Sequence, residues 1–139
     1  MTKAVLVDTG PLVALLNRRD QHHRWAVSCI ADLEQPLQTC EAVVSEACFL
    51  LRGCRGGAAA VIELLERGVI TVAFRLDAER ERVRRLLARY DSVPMSFADA
   101  CLVRMTELTS DCKLLTVDSD FRIYRRHGRQ VIPVRMPSS

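Results

Sequence analysis

The sequence predicts an α/β domain built on a mainly parallel sheet. Three features point there: short strand-length runs that are apolar on both sides, segments with helical spacing between them, and Gly or Pro at the junctions. Strands separated by helices form a parallel sheet covered on both faces, with right-handed crossovers. The chain has 139 residues, enough for one domain with a real core. Its 49% hydrophobic and 27% charged residues exclude a disordered tail, a collagenous repeat and a polytopic membrane protein. With only 5% aromatics, the core must come from Leu, Val, Ile and Ala. We place the domain at residues 1–135 and read 136–139 as a loose tail.

The first strand is Lys3–Val7, ending at Asp8. Thr9-Gly10-Pro11 opens a helix, since Pro lacks the N–H that a first turn leaves unpaired. A second helix starts after Asp20, carries Trp25, Ala26, Cys29, Ile30 and Leu33, and breaks at Gln35-Pro36. Leu37–Cys40 is a short strand and Val44–Leu51 a helix stopped by Gly53. Ala58–Arg67 is a helix closed by Gly68, and Val69–Phe74 a β-branched strand. Asp77–Tyr90 is an Arg-rich helix with Val83, Leu86 and Leu87 inward. Ser96 caps the next helix, through Phe97, Ala100, Cys101 and Val103. Lys113–Val117 is a strand ending at Asp118; a short helix and a last strand, Gln130–Val134, follow. Ligands of such folds bind at the carboxyl ends of the strands.

The net charge is +3, and 18 of the 20 basic residues are Arg, whose planar fork suits oxyanions. None of the six cysteines forms a C-x-x-C pair, so a zinc knuckle or thioredoxin motif is not expected. The first apolar run is broken by Asp8 and Gly10-Pro11 and lacks a cleavage site, and no run of about 18 apolar residues exists. A reducing, cytoplasmic compartment is expected.

Most acids have ordinary settings. Glu79 and Glu81 flank arginines on a solvated helix face, and Glu63, Glu66 and Glu107 read as surface helix positions. Four do not: Asp8 in VLVDTGPL, Glu46 in VVSEACFLL, Asp99 in SFADACLV and Asp118 in LLTVDSDF lie among apolar or small residues. Burying a carboxylate costs several kcal/mol unless a cation accompanies it. Asp8 and Asp118 follow strands, and Glu46 and Asp99 lie near helix starts, so all four can meet at one sheet edge. An oxygen-only set without His or Cys suits Mg²⁺ or Mn²⁺ rather than zinc. Without these four, twenty bases face thirteen acids, a balance of +7 around an acidic pocket, which suits a phosphodiester substrate. Asp120 is either a further ligand or a helix cap, and Asp91 and the His22-His23 pair read as structural and surface residues.

These segments resemble the PIN-domain nucleases, specifically VapC-type toxins of bacterial toxin–antitoxin pairs, over Val5 to about Val134. The run through Asp8-Thr9-Gly10-Pro11 is similar to the first motif, Val-Val-Ser-Glu46 to the second, Ser96-Phe-Ala-Asp99 to the third, and Leu-Leu-Thr116-Val-Asp118-Ser-Asp120 to the fourth. The resemblance implies an α/β/α sandwich with strand order 3-2-1-4-5, homodimers, a small antitoxin partner and Mg²⁺- or Mn²⁺-dependent endoribonuclease activity leaving 5′-phosphate and 3′-hydroxyl ends. It implies catalytic roles for Asp8, Glu46, Asp99 and Asp118, with Asp8, Asp99 and Asp118 holding the metal and Glu46 and Asp120 as further candidates. Thr9 and Thr116 would support them. Arg18, Arg19, Arg122, Arg125 and Arg126 are candidate phosphate contacts.

Two other readings remain open at this point. Phosphotransfer on Asp8 lacks the second Asp two residues on, where Gly10 stands, and Lys113 precedes its strand rather than following it. A non-catalytic module binding RNA or a partner would use the same fold, with a groove among Leu15, Leu16, Leu50, Leu51, Leu64 and Leu65.

Overall fold

A computed structural model describes residues 3–138; Met1 and Thr2 of the expected domain and Ser139 of the expected tail lie outside the described residues. The elements run β1 (Ala4–Val7), α1 (Thr9–Leu16), α2 (His23–Ala31), β2 (Leu37–Thr39), α3 (Glu41–Leu50), α4 (Gly57–Glu66), β3 (Ile70–Val72), α5 (Leu76–Arg89), α6 (Phe97–Leu108) and β4 (Cys112–Leu115). A single 3₁₀ turn (Ser119–Arg122), β5 (Arg125–Arg126), β6 (Gln130–Val131) and β7 (Val134–Arg135) complete the chain. The sheet order is β3-β2-β1-β4-β7, every pairing parallel, with helices flanking it. It is the expected α/β architecture. Leu6, Val7, Leu114 and Leu115 are fully buried, as strands covered on both faces must be.

Register decides where function can sit. Leu6 faces Leu114 and Val7 faces Leu115, so Asp8 and Thr116 leave the sheet side by side. The Asp8 N–H donates to the Leu115 carbonyl at 3.0 Å. The Thr39 hydroxyl donates to the Val7 carbonyl at 2.8 Å, anchoring β2 to the same edge. A Cβ on Gly10 would stand 2.4 Å from Val117 Cγ2, so only glycine lets α1 start this close to the loop that carries Asp118.

Several expected boundaries shift. The last strand divides: β6 pairs antiparallel with β5, and β7 joins the sheet. Buried Ile132 and Pro133 separate them, because proline cannot donate to a ladder. The fifth sheet strand is therefore the seventh in the chain. The helix expected after β4 is one 3₁₀ turn, capped by Asp118, whose side chain accepts the Asp120 N–H. Helix α2 ends at Ala31, leaving Leu33 outside it, and α3 begins at Glu41, three residues before the expected Val44.

Glu107 corrects the surface reading given to it. Its side chain is 0% exposed, packed between α5 and α6. Its oxygens accept from Arg82 Nη2 at 2.9 and 3.0 Å, from Arg104 Nη1 at 3.2 Å and from the His127 N–H at 2.8 Å. Glu79 is likewise only partly exposed and pairs with Arg104 Nε at 2.6 Å.

Candidate functional site

Three carboxylates meet at the carboxyl edge of the sheet. Asp8, Asp99 and Asp118 each offer an oxygen, all within 4.8 Å of one another. Asp8 follows β1 and caps α1, its Oδ1 accepting the Thr9 N–H at 2.7 Å. Asp118 follows β4. The Thr116 hydroxyl joins the two loops: it donates to Asp8 Oδ2 at 2.8 Å and accepts the Asp118 N–H at 3.0 Å. Asp99 arrives from α6 as the third residue of a capping box, its N–H donating to Ser96 Oγ and its Oδ2 accepting the Ser96 N–H.

The electrostatics of this cluster are unfavourable without a cation. Burial pushes the Asp8 carboxyl up to about 6; the bonds from Thr116 and Thr9 oppose this, while the charges of Asp99 and Asp118 add to it. Asp99 is also raised, chiefly by burial and further by Asp118, against hydrogen bonds from Tyr124 and Ser96. No arginine or lysine forms an ion pair with any of the three among the described residues.

The donor set fits a hard divalent cation. Every ligand atom on offer is oxygen. Asp99 Oδ1 and Asp118 Oδ2 accept no hydrogen bond among the described residues and keep their lone pairs free. Beside Asp8, the Thr9 hydroxyl oxygen is buried without a partner, an orphan of the kind that a ligand or ordered water resolves.

Glu46 is not in the cluster. Because α3 starts early, Glu46 falls in its second turn rather than at its start, and it is exposed. It borders a shallow depression with Ser45, Phe49, Ser96 and Phe97, next to the first turn of α6. Asp120 stands on the 3₁₀ turn, partly buried and outside the three-acid group, and Asp91 is exposed. The histidines are less superficial than expected: His22 meets the Trp25 ring edge-on, and His23 Nδ1 lies 2.7 Å from the Ala14 carbonyl.

Among the arginines suggested for phosphate, Arg18, Arg19 and Arg122 are exposed. Arg125 turns onto the carbonyls of Arg122, Ile123 and Tyr124. Arg126 is buried and corrects its assignment: its guanidinium caps α6 by donating to the carbonyls of Thr106, Thr109 and Ser110.

Tyr124 is a site residue that spacing does not reveal. Fully buried, it donates its hydroxyl to Asp99 Oδ2 at 3.0 Å and packs edge-on against Tyr90 and Phe121. Burial and the Asp99 charge hold its phenol far above the ordinary range, so it remains a donor at neutral pH. Its sequence setting, Phe121-Arg-Ile-Tyr124-Arg-Arg, is rich in arginine and gives no signal of burial; the only guide is that a phenol, once buried, needs a partner. Tyr124→Phe is expected to cost about 1 kcal/mol and to raise the Asp99 carboxyl further. Thermal shifts with and without Mn²⁺ should then show a metal response weakened more at pH 6 than at pH 8. An unchanged response at both would remove Tyr124 from the site.

Comparison with known proteins gives a coherent picture. A family model described as PIN domain matches residues 5–126. The crystal structure of Mycobacterium tuberculosis VapC20, described as a sarcin–ricin-loop-cleaving toxin, superposes with a TM-score of 0.76 at 25% identity, covering 94% of this chain and 100% of that one. No curated protein matches by sequence.

Proposed function

Since the chain belongs to the PIN domain family, we propose that it is a divalent-metal-dependent endoribonuclease, the toxin of a toxin–antitoxin pair. One observation carries this reading: carboxylates from three remote chain positions stand within 4.8 Å at the sheet edge, with no basic side chain pairing them among the described residues.

Asp8, Asp99 and Asp118 would hold Mg²⁺ or Mn²⁺. When bound, the ion supplies neutralisation of phosphoryl charge and activation of water for hydrolysis of the phosphodiester, leaving 5′-phosphate and 3′-hydroxyl ends. The chain's own residues fix the ligands. Thr116 couples Asp8 to Asp118, Tyr124 and Ser96 hold Asp99, and Gly10 allows the two loops to close on each other. Glu46 belongs to the substrate side of the site, where it orders solvent beside the strand rather than holding the ion. Asp120 keeps the 3₁₀ turn beneath Asp118 in place.

Phe49, 61% exposed, stands near Phe97 and Leu50, which are also exposed; this apolar face supports a homodimer. A cytoplasmic setting is consistent with six free cysteines and with the absence, among the described residues, of any helix long and apolar enough to cross a membrane. The small antitoxin partner follows from the toxin assignment.

The test is cleavage of an RNA panel, including a sarcin–ricin-loop oligonucleotide, with Mg²⁺ or Mn²⁺, with EDTA, and with Asp99→Asn. Metal-dependent cutting that Asp99→Asn lacks supports the reading. Equal cutting by the variant, or none by the wild-type chain, overturns it in favour of a non-catalytic module.

A further inference from the structure

The molecule carries a second charged recess, away from the three acids and unused by the chemistry above. It is a cavity of about 350 Å³ between α5 and the β5–β6 turn, lined by Arg82, Arg85, Leu86, Arg89, His127 and Gly128. We propose that this cavity is a subsite for a backbone phosphate of the RNA strand, a few nucleotides from the bond that is cut. The proposal rests on the ribonuclease reading for its ligand and on the following geometry for its place.

Positions 82, 85 and 89 recur at three- and four-residue spacing, so the three guanidiniums share one stripe of α5. No acid lines the recess. Two carboxylates pair with its arginines: buried Glu107 with Arg82 and exposed Glu81 with Arg85. Glu107 also accepts the His127 N–H, so one buried carboxylate fixes both the α5 wall and the turn opposite. Arg89 closes the far side, its Nη2 donating to the Gly128 carbonyl at 2.8 Å. Arginine has five donors. Arg85 and Arg89 each use a single terminal nitrogen within the protein and keep most of their forks free.

The turn itself is held in a costly shape. His127 has φ 52, the one positive φ outside glycine among the described residues, followed by Gly128 at φ 81. Strain of this kind persists where the surroundings impose it, and it concentrates at binding sites. Residues 121–139 contain five arginines, exposed Arg122 and Arg129 among them, and no acid.

The recess is tied to the metal-site candidate by a short path. Tyr124 touches Asp99, and the next residue, Arg125, donates its N–H to the Tyr90 hydroxyl at 3.0 Å at the end of α5. Asp99 and Glu107 lie eight residues apart on α6, which is about 12 Å along the axis. At a stacked rise of about 3.4 Å, that distance corresponds to roughly three or four nucleotides. The arginines would then hold the strand by its phosphates and set its register over the acids, without reading its bases.

The test is binding of a fluorescein-labelled single-stranded RNA to the full chain carrying Asp8→Asn, in EDTA, as a function of KCl. Arg85→Gln/Arg89→Gln is expected to weaken binding about tenfold and to flatten the slope of log affinity against log salt by about 0.7, the value for one lost phosphate contact on a single strand. Arg80→Gln/Arg84→Gln removes the same charge from the opposite face of α5 and should change affinity less than about twofold. Equal losses from the two pairs would overturn the subsite, as would a slope unchanged by Arg85→Gln/Arg89→Gln. A double variant that loses binding to polyglutamate but not to RNA also overturns it, in favour of an acidic peptide. Cleavage with Mn²⁺ in the Asp8 background keeps the two readings apart. Cutting with an unchanged slope removes the subsite alone. A flattened slope with no cutting by any chain leaves the phosphate site standing and removes the nuclease.

Discussion

Asp8→Asn is expected to make the metal-free protein more stable at pH 7.5 and to abolish cleavage. The Asp8 carboxyl sits at about 6 when folded because it is buried beside two other acids; unfolded, it returns to about 3.9. The native state therefore binds this proton more tightly than the unfolded chain. Stability falls as pH rises from about 4 to about 6, and above that window the cost is constant at a few kcal/mol, at most about 3. Asn carries no charge to desolvate. Its carbonyl can still accept the Thr9 N–H, and its amide can donate to Thr116 Oγ1. A gain of about 1–3 kcal/mol should raise the melting temperature in EDTA by roughly 3–10 °C. The wild-type minus variant difference should grow between pH 4 and pH 6 and then level off. Mn²⁺ should reverse the ranking: at a hundredfold excess over Kd it stabilises the wild type by about 2.7 kcal/mol, and the variant by far less. Cleavage should drop at least about a thousandfold, the scale for losing one preorganised electrostatic group. A variant that melts below the wild type in EDTA at pH 7.5 would show that these acids are compensated within the fold.

What could be read in advance was whatever the local sequence determines. The junctions Val7-Asp8 and Leu115-Thr116 were visible because strands buried on both faces are written as unbroken apolar runs, and parallel pairing carries their ends to one edge. Ser96 announced α6 through the cap it makes, and Asp99 came with it. Glu46 shows where such reasoning fails. Its neighbours look like core, yet Phe49 and Leu50 are themselves more than half exposed, so apolar company there marks a face without a partner inside this chain. Glu107 fails in the opposite direction. Its neighbours look like helix surface, while Arg82 lies 25 residues before it and His127 20 residues after. Tyr124 finds Asp99 across 25 residues. Partnerships at that separation are set by the packing of α5, α6 and the β5–β6 turn, and no short-range pattern encodes them.

Glu107→Ala should do the reverse of Asp8→Asn: destabilise strongly while leaving the chemistry intact. Burial alone would push the Glu107 carboxyl up, but the His127 N–H, Arg82 and Arg104 together hold it below the usual range. Such a carboxylate contributes stability at neutral pH, and that contribution is lost as pH falls below about 4.3. Deleting it leaves the His127 N–H without its acceptor, frees the Arg82 guanidinium, and leaves Arg104 paired with Glu79 alone as the ion pair between α5 and α6. Removing one partner of a buried pair costs about 3–5 kcal/mol, and partial exposure of Arg82 and Arg104 places this case near the lower end. Urea unfolding should register the loss as a lower midpoint with an unchanged slope. Glu107→Gln retains an acceptor for His127 and should lose roughly half as much. Metal-dependent cleavage per folded molecule should persist at 15 °C, because Asp8, Asp99 and Asp118 take no bond from Glu107. RNA binding in EDTA should weaken as Arg82 and the turn lose their shared anchor. If Glu107→Ala unfolds with the wild-type midpoint, the α5–α6 pair is held by its apolar contacts and the Glu79–Arg104 bridge, and the arginine recess has no fixed floor.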